Sequence, residues 1–227
     1  MAFPVVPMTD PHQHLLDALD RVDAVFAPYA EQPVDGCTYC YREADLALLS
    51  GPVAGIPDRL VDAVAAEVPD HWDDFPGLYR RLTPRILRSL ALNGGGAGPA
   101  MVASRLLAAG WREWPERVAV ERFLSAWWEA VLRQPSGVRP VDALELAVPL
   151  TGTLVPWLER WAQVGTGYAE EQLSAAVDGW LERRLEVRFG FHEEFDARPV
   201  LPEWLLTLDP DFLGAHRLQE IERIAYS

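Results

Sequence analysis

The sequence predicts an all-α protein, an irregular stack of antiparallel helical hairpins arranged as a HEAT-like array or a globular bundle. Three observations point there. Prolines at 11, 57, 76, 99, 115, 140, 156, 202 and 210 each open an apolar stretch, the one place in a helix where a missing N–H costs nothing. The apolar residues behind them recur at three- and four-residue steps. Hairpin signals and β-branched clusters are scarce.

Taken in order, the first helix runs from the cap Asp10 through Tyr29, with Leu15, Leu19, Val22, Phe26 and Tyr29 on one stripe. A loop with Pro33, Asp35 and Gly36 leads into Cys37-Thr38-Tyr39-Cys40. A short helix over Arg42–Ser50 stops at Gly51-Pro52. Pro57 opens the next, which turns Leu60, Val61, Val64 and Ala65 inward and ends at Val68-Pro69. Asp73 and Asp74 cap a longer helix carrying Leu78, Leu82, Ile86, Leu87 and Leu90, with a kink expected at Pro84. Asn93 to Gly98 is the clearest break in the chain. Beyond it the spacing predicts helices over Pro99–Ala109, Pro115–Gln134, Pro140–Ala147, Leu154–Val164, Ala169–Arg188, Pro202–Leu208 and Pro210–Tyr226. This divides the chain into a helical unit over 1–92 holding the C-x-x-C loop, a Gly-rich linker or loop over 93–98, and a second unit over 99–227. The two are expected to close on one domain.

Composition narrows the function classes. With 49% hydrophobic and 24% charged residues in 227, the chain reads as a folded protein able to bury a full core. No apolar run reaches bilayer length. The start lacks the basic n-region of an export signal, so the cytoplasm is the expected compartment. A net charge of −14 argues against nucleic acid and against an anionic membrane surface. All 20 basic residues are arginine, which removes Schiff-base chemistry and the P-loop lysine. No G-x-S-x-G or other catalytic motif is present.

Cys37-x-x-Cys40 is the sharpest local feature. Two thiols at this spacing suit one zinc ion, which needs four ligands. His12 and His14 are the candidate partners, although residues two apart on a helix diverge, so one of them at most would join. Zinc is thus the only cofactor the residues suggest, and packed thiols without any cofactor are the plainer reading. A redox reading places a thiolate on Cys40, just ahead of a helix N-terminus. His192-Glu193-Glu194 lacks the second histidine of a metalloprotease helix and reads as surface. Asp70-His71-x-Asp73-Asp74 reads as a helix cap.

Arg80, Arg81, Arg85 and Arg88 make a basic patch, with Arg81, Arg85 and Arg88 on one helical face. Their forked guanidiniums suit a carboxylate or phosphate, or else pair with acids on neighbouring helices. Of the nine tryptophans, Trp127 and Trp180 fall on buried stripes. Trp72, beside His71, and several at helix starts could instead face a partner.

Cys37-Thr38-Tyr39-Cys40 followed by Glu43-Ala44-Asp45-Leu46, and later Leu82-Thr83-Pro84-Arg85-Ile86-Leu87, resembles an uncharacterised bacterial family of helical-repeat, HEAT-like proteins. Its members carry C-x-x-C after a tyrosine-rich first helix and an L-P-R-I-L helix downstream. Trp114-Pro115-Glu116-Arg117 through Phe123-Leu124-x-x-Trp127 is similar to the family's middle helix. The chain departs at Thr83, which separates the leucine from the proline, and at Tyr39, where proline or a third cysteine is common. The resemblance implies a helical fold and brings no activity with it.

Three expectations follow. The first is a non-catalytic scaffold that binds a protein or peptide in a groove of Trp and Arg, with Arg81, Arg85, Arg88, His71 and Trp72 as contacts and self-association as an option. The second is an enzyme or small-molecule binder whose site joins Arg81, Arg85 and His71. The third is a zinc- or redox-dependent regulator using Cys37 and Cys40.

Overall fold

A computed structural model describes residues 10–29, 32–133, 135 and 137–226. Eleven α-helices account for the architecture among these residues: α1 (Pro11–Phe26), α2 (Glu43–Ser50), α3 (Asp58–Ala66), α4 (Phe75–Asn93), α5 (Pro99–Ala108), α6 (Arg117–Arg133), α7 (Pro140–Thr151), α8 (Val155–Gln163), α9 (Gly167–Glu182), α10 (Leu201–Leu205) and α11 (Pro210–Ala225). A two-stranded antiparallel hairpin, β1 (Arg188–Phe189) and β2 (Phe195–Asp196), sits between α9 and α10. The protein is all-α.

The caps are those that the side chains dictate. Asp10 accepts from His12 N, Asp74 from Gly77 N, Thr166 from Ala169 N and Asp209 from Asp211 N. Each occupies a helix N-terminus whose first N–H groups would otherwise lack partners. α1 stops at Phe26 rather than Tyr29, because Ala27–Tyr29 tightens into a 3₁₀ turn around Pro28. α4 runs unbroken through Pro84, with the Thr83 hydroxyl donating to Tyr79 O at 2.8 Å.

α9 is shorter than its apolar spacing implies. Leu185 N donates back to Trp180 O at 2.8 Å, and Arg184 and Leu185 take left-handed backbone angles (φ 55° and 60°). That closure ends the helix and turns 188–196 into the hairpin, which the sequence reading missed.

One hydrophobic core joins both expected units. α1 packs mainly on α6 and also on α4, while α5 lies on α7 as well as on α3 and α4. A linear array confines each repeat to its neighbours, so the globular bundle is the arrangement adopted. Gly94 closes α4 in the left-handed region, and residues 94–98 form a short surface loop that buries only Ala97 in the shared core. Among the described residues, no helix is long and apolar enough to cross a membrane.

The tryptophans go inward. Eight are buried and Trp157 is partly buried against the core. Trp128 meets Trp157 and Trp161 edge-on at 6.0 and 5.5 Å, and Trp161 meets Trp180 at 6.4 Å, the geometry that aromatic quadrupoles favour. The Trp161 indole donates to Ala169 O at 2.9 Å. A Trp-lined outer groove is therefore corrected, and Trp72 is withdrawn as a partner contact because it too is buried.

Candidate functional site: a thiol turn clamped by residues 67–72

The segment before α2 crosses the segment before α4. Gly36 and Trp72 form an antiparallel bridge, Cys37 N donates to His71 O at 2.8 Å, and Asp73 N donates to Asp35 O at 3.1 Å. Only glycine fits at the crossing, since a Cβ at 36 would meet the Trp72 ring at 2.7 Å and His71 O at 2.8 Å. Val34 N donates to Ser50 Oγ at 3.0 Å, which ties the entry of the turn to the end of α2.

From this anchor Cys37-Thr38-Tyr39-Cys40 closes a tight turn, with Cys40 N and Tyr41 N both donating to Cys37 O at 3.1 and 3.0 Å. Cys40 is exposed, Cys37 is half-buried, and both are free thiols. The two side chains stand close enough for each to shift the other's titration. The Cys40 N–H, the Cys40 thiol and the Tyr39 N–H all favour a thiolate on Cys37, so its pKa falls despite burial and the Glu67 charge. Cys40 moves the other way, chiefly because its thiol is engaged by Cys37. The expected thiolate on Cys40 is thus reversed. The turn's own N–H groups aim at Cys37, whereas α2 begins only at Glu43.

Beneath the thiols lies a polar frame that the sequence reading did not name. The Tyr41 hydroxyl donates to Glu67 Oε2 at 2.9 Å, and Val68 N donates to Glu67 Oε1 at 3.0 Å. His71 Nδ1 stands 3.0 Å from Glu67 Oε1, an ion-pair distance without the alignment of a hydrogen bond. Burial opposes ionisation of Glu67, but Val68 N–H, the Tyr41 hydroxyl and His71 outweigh it and hold the carboxyl below its ordinary range. Burial and the same carboxylate push the Tyr41 phenol well up. The Tyr41 ring lies 4.5 Å from that of Trp72. No signal in the sequence links Tyr41 to Glu67, 26 positions away.

The other candidates scatter. His12 and His14 lie in the first turn of α1, whose far end, at Tyr29, meets Arg80 and Glu116 near the start of α4 and α6. Sixteen residues of helix span about 24 Å, and this separates the histidines from the thiol turn. Among the described residues, no three His, Cys, Asp or Glu side chains are grouped to hold a metal ion. The four-ligand set of Cys37, Cys40, His12 and His14 does not assemble.

The arginines point four ways. Arg80 binds Glu116 at 2.7 Å and covers the Tyr29 ring at 4.2 Å. Arg85 is held by Val53 O, Ile56 O and Asp58, and Arg88 by Asp20 and Asp23 at 2.8 and 2.6 Å. Arg81 is 1% exposed and donates Nη1 to Gln32 O at 3.1 Å; burial lowers its pKa. A cavity of about 440 Å³ borders Arg85 and Arg88, yet neither Arg81 nor His71 lines it. The joint site of Arg81, Arg85 and His71 is therefore corrected, since each side chain reaches a different neighbour.

Comparison with family models, with curated proteins and with solved structures returned no match to this chain.

Proposed function

We propose that this protein is a thiol–disulfide redox protein in which Cys37 attacks and Cys40 resolves, on a helical scaffold that keeps the pair at the surface. One observation carries the reading: two free thiols at the ends of one tight turn closed on Cys37 O, with the pKa of the first lowered by the backbone N–H groups beside it. A four-residue turn brings its end Cα atoms within about 7 Å, which overlaps the span that a disulfide bridges. Donors around a sulfur lower its pKa and raise the thiolate fraction that does the chemistry.

The test treats the full chain with the neutral reagent hydroxyethyl disulfide. Intact mass and peptide mapping should show loss of two hydrogens through a Cys37–Cys40 bond, and Cys40→Ser should trap the reagent on Cys37. Two thiols that alkylate alike, with no internal bond under any oxidant, would overturn the reading.

A second reading, the peptide-binding scaffold, is favoured by one feature. An open groove of about 560 Å³ runs between α1 and α6, with the half-exposed Val118 flanked by Arg21, Arg122, Asp17 and Glu121. Selection of displayed peptides against the protein, followed by rebinding to Val118→Asp, checks it. Binders that ignore the substitution would place recognition elsewhere.

A further inference from the structure

The surroundings of the thiol pair are predominantly acidic. Asp35 and Asp73 are joined across the backbone crossing, and Asp70 stands one residue beyond the partner of Cys37. All three are exposed and none makes an ion pair among the described residues. Glu67 acts on both sulfurs from below, and the exposed Glu43 opens α2 just past the turn. Of the nearby cations, Arg42 and Arg59 share the one carboxylate of Asp45, at 3.3 and 2.7 Å, and Arg81 is buried behind Gln32 O, so the acids outnumber them. His71 faces Glu67. Between the two cysteines Tyr39 stands 96% exposed, an aromatic face of the kind that attracts cations.

We infer that the Cys37–Cys40 pair selects disulfides that carry positive charge, either on small aminothiols or on basic peptide segments. This rests on the redox reading above and names its substrate class. The Cys37 thiolate attacks one sulfur of R–S–S–R, forming a Cys37–S–S–R bond, and RS⁻ departs and takes a proton from water. Cys40 loses its proton and attacks the Cys37 sulfur, and the second RS⁻ leaves. The protein is oxidised by two electrons and the disulfide is reduced to two thiols. Both steps hold the R group in a field set by Asp35, Glu67, Asp70 and Asp73, and by the overall charge of −14. Such fields raise the local concentration of the opposite charge and are screened by salt.

The experiment uses the reduced full chain and three reagents: cystamine (cationic), hydroxyethyl disulfide (neutral) and dithiodiglycolate (anionic). Each rate is divided by that reagent's rate with dithiothreitol, which cancels leaving-group differences. The expected order is cystamine, neutral, anionic, with about a tenfold spread at low ionic strength that shrinks several-fold in salt. The triple variant Asp35→Asn, Asp70→Asn, Asp73→Asn should compress the spread, and circular dichroism checks its fold; the salt dependence of the natural chain stands alone if it does not fold. Disulfide-linked peptide dimers with arginine or glutamate flanks form a second arm. A faster arginine-flanked dimer assigns peptide substrates, and a charge preference confined to cystamine assigns small aminothiols. Equal normalised rates for all three reagents, or a lead for the anionic one, would overturn the inference while the internal disulfide keeps the redox reading intact. Failure of every reagent to form that bond would remove both.

Discussion

Two aromatic regions of this molecule are built from similar residues to opposite ends. Around Trp128, Trp161 and Trp180 the rings meet edge to face and the Trp161 N–H finds a carbonyl, so the cluster is closed and chemically silent. Around Tyr41 and Trp72 the rings line the floor of a surface turn, and the Tyr41 hydroxyl passes its bond to a carboxylate that faces two thiols. The difference lies in what borders the rings. Helix faces surround the first cluster, whereas two crossing loops surround the second and place backbone N–H groups beside the Cys37 sulfur. Aromatic content alone therefore does not mark a binding surface.

The largest expected effect falls on the closed region. Trp161→Ala should cost about 3–5 kcal/mol, seen as a fall in Tm on the order of 10 °C for a chain of this size, while Tyr39→Ala should leave Tm unchanged. Comparable losses at the two positions would erase the contrast. Next comes Glu116→Ala, which strands Arg80 beside Tyr29 in a part-buried setting; about 3 kcal/mol is expected in urea unfolding.

Smaller in energy but sharper in meaning is the thiol titration. The folded pKa of Cys37 is depressed, so its contribution to stability is present above the unfolded thiol value of about 8.5 and is lost as pH falls through the folded value. Iodoacetamide alkylation of Cys37 should consequently reach half-maximal rate at lower pH in the native chain than in urea, and Cys40 at higher pH. Coincident native curves would contradict the asymmetry.

The smallest effect lies at the rim of the tryptophan region, where Glu145 accepts from Gly190 N at 2.6 Å and shares a cavity of about 210 Å³ with Trp180. Burial first, then the charges of Asp142 and Glu194, raise its pKa against the bond from Gly190. A carboxyl raised in the folded state weighs against folding above its folded pKa, and the penalty disappears below its unfolded value. Glu145→Gln should accordingly leave stability unchanged or slightly higher at pH 8 and confer no gain at pH 3, read by thermal melts at both.

Much of the bundle was legible because an apolar period and a polar cap are both local. Leu15, Leu19, Val22 and Phe26 lie where their spacing puts them, and Pro11, Pro99, Pro140 and Pro210 open helices. The hairpin was not legible, because α9 ends on two non-glycine residues in left-handed geometry, a closure without a compositional sign. The arginine patch resolved into the internal pairs that one of its two readings expected, while the joint site did not form. A shared helical face fixes where Cβ atoms begin, and long side chains then diverge by several ångströms toward whichever acid or carbonyl is near. At the thiol turn the cysteine spacing was visible. Its asymmetry was not, because Glu67, His71 and Trp72 arrive only through the crossing at Gly36.

That crossing has an optical consequence. With no room for a side chain at Gly36, the indole of Trp72 is locked against the strand that carries Cys37, and sulfur is an efficient quencher of tryptophan emission. Fluorescence should thus change when the thiols join, and Trp72→Phe should abolish the change while the other eight indoles keep their steady background. Under the redox reading, Trp72 would report the state of the pair without a label.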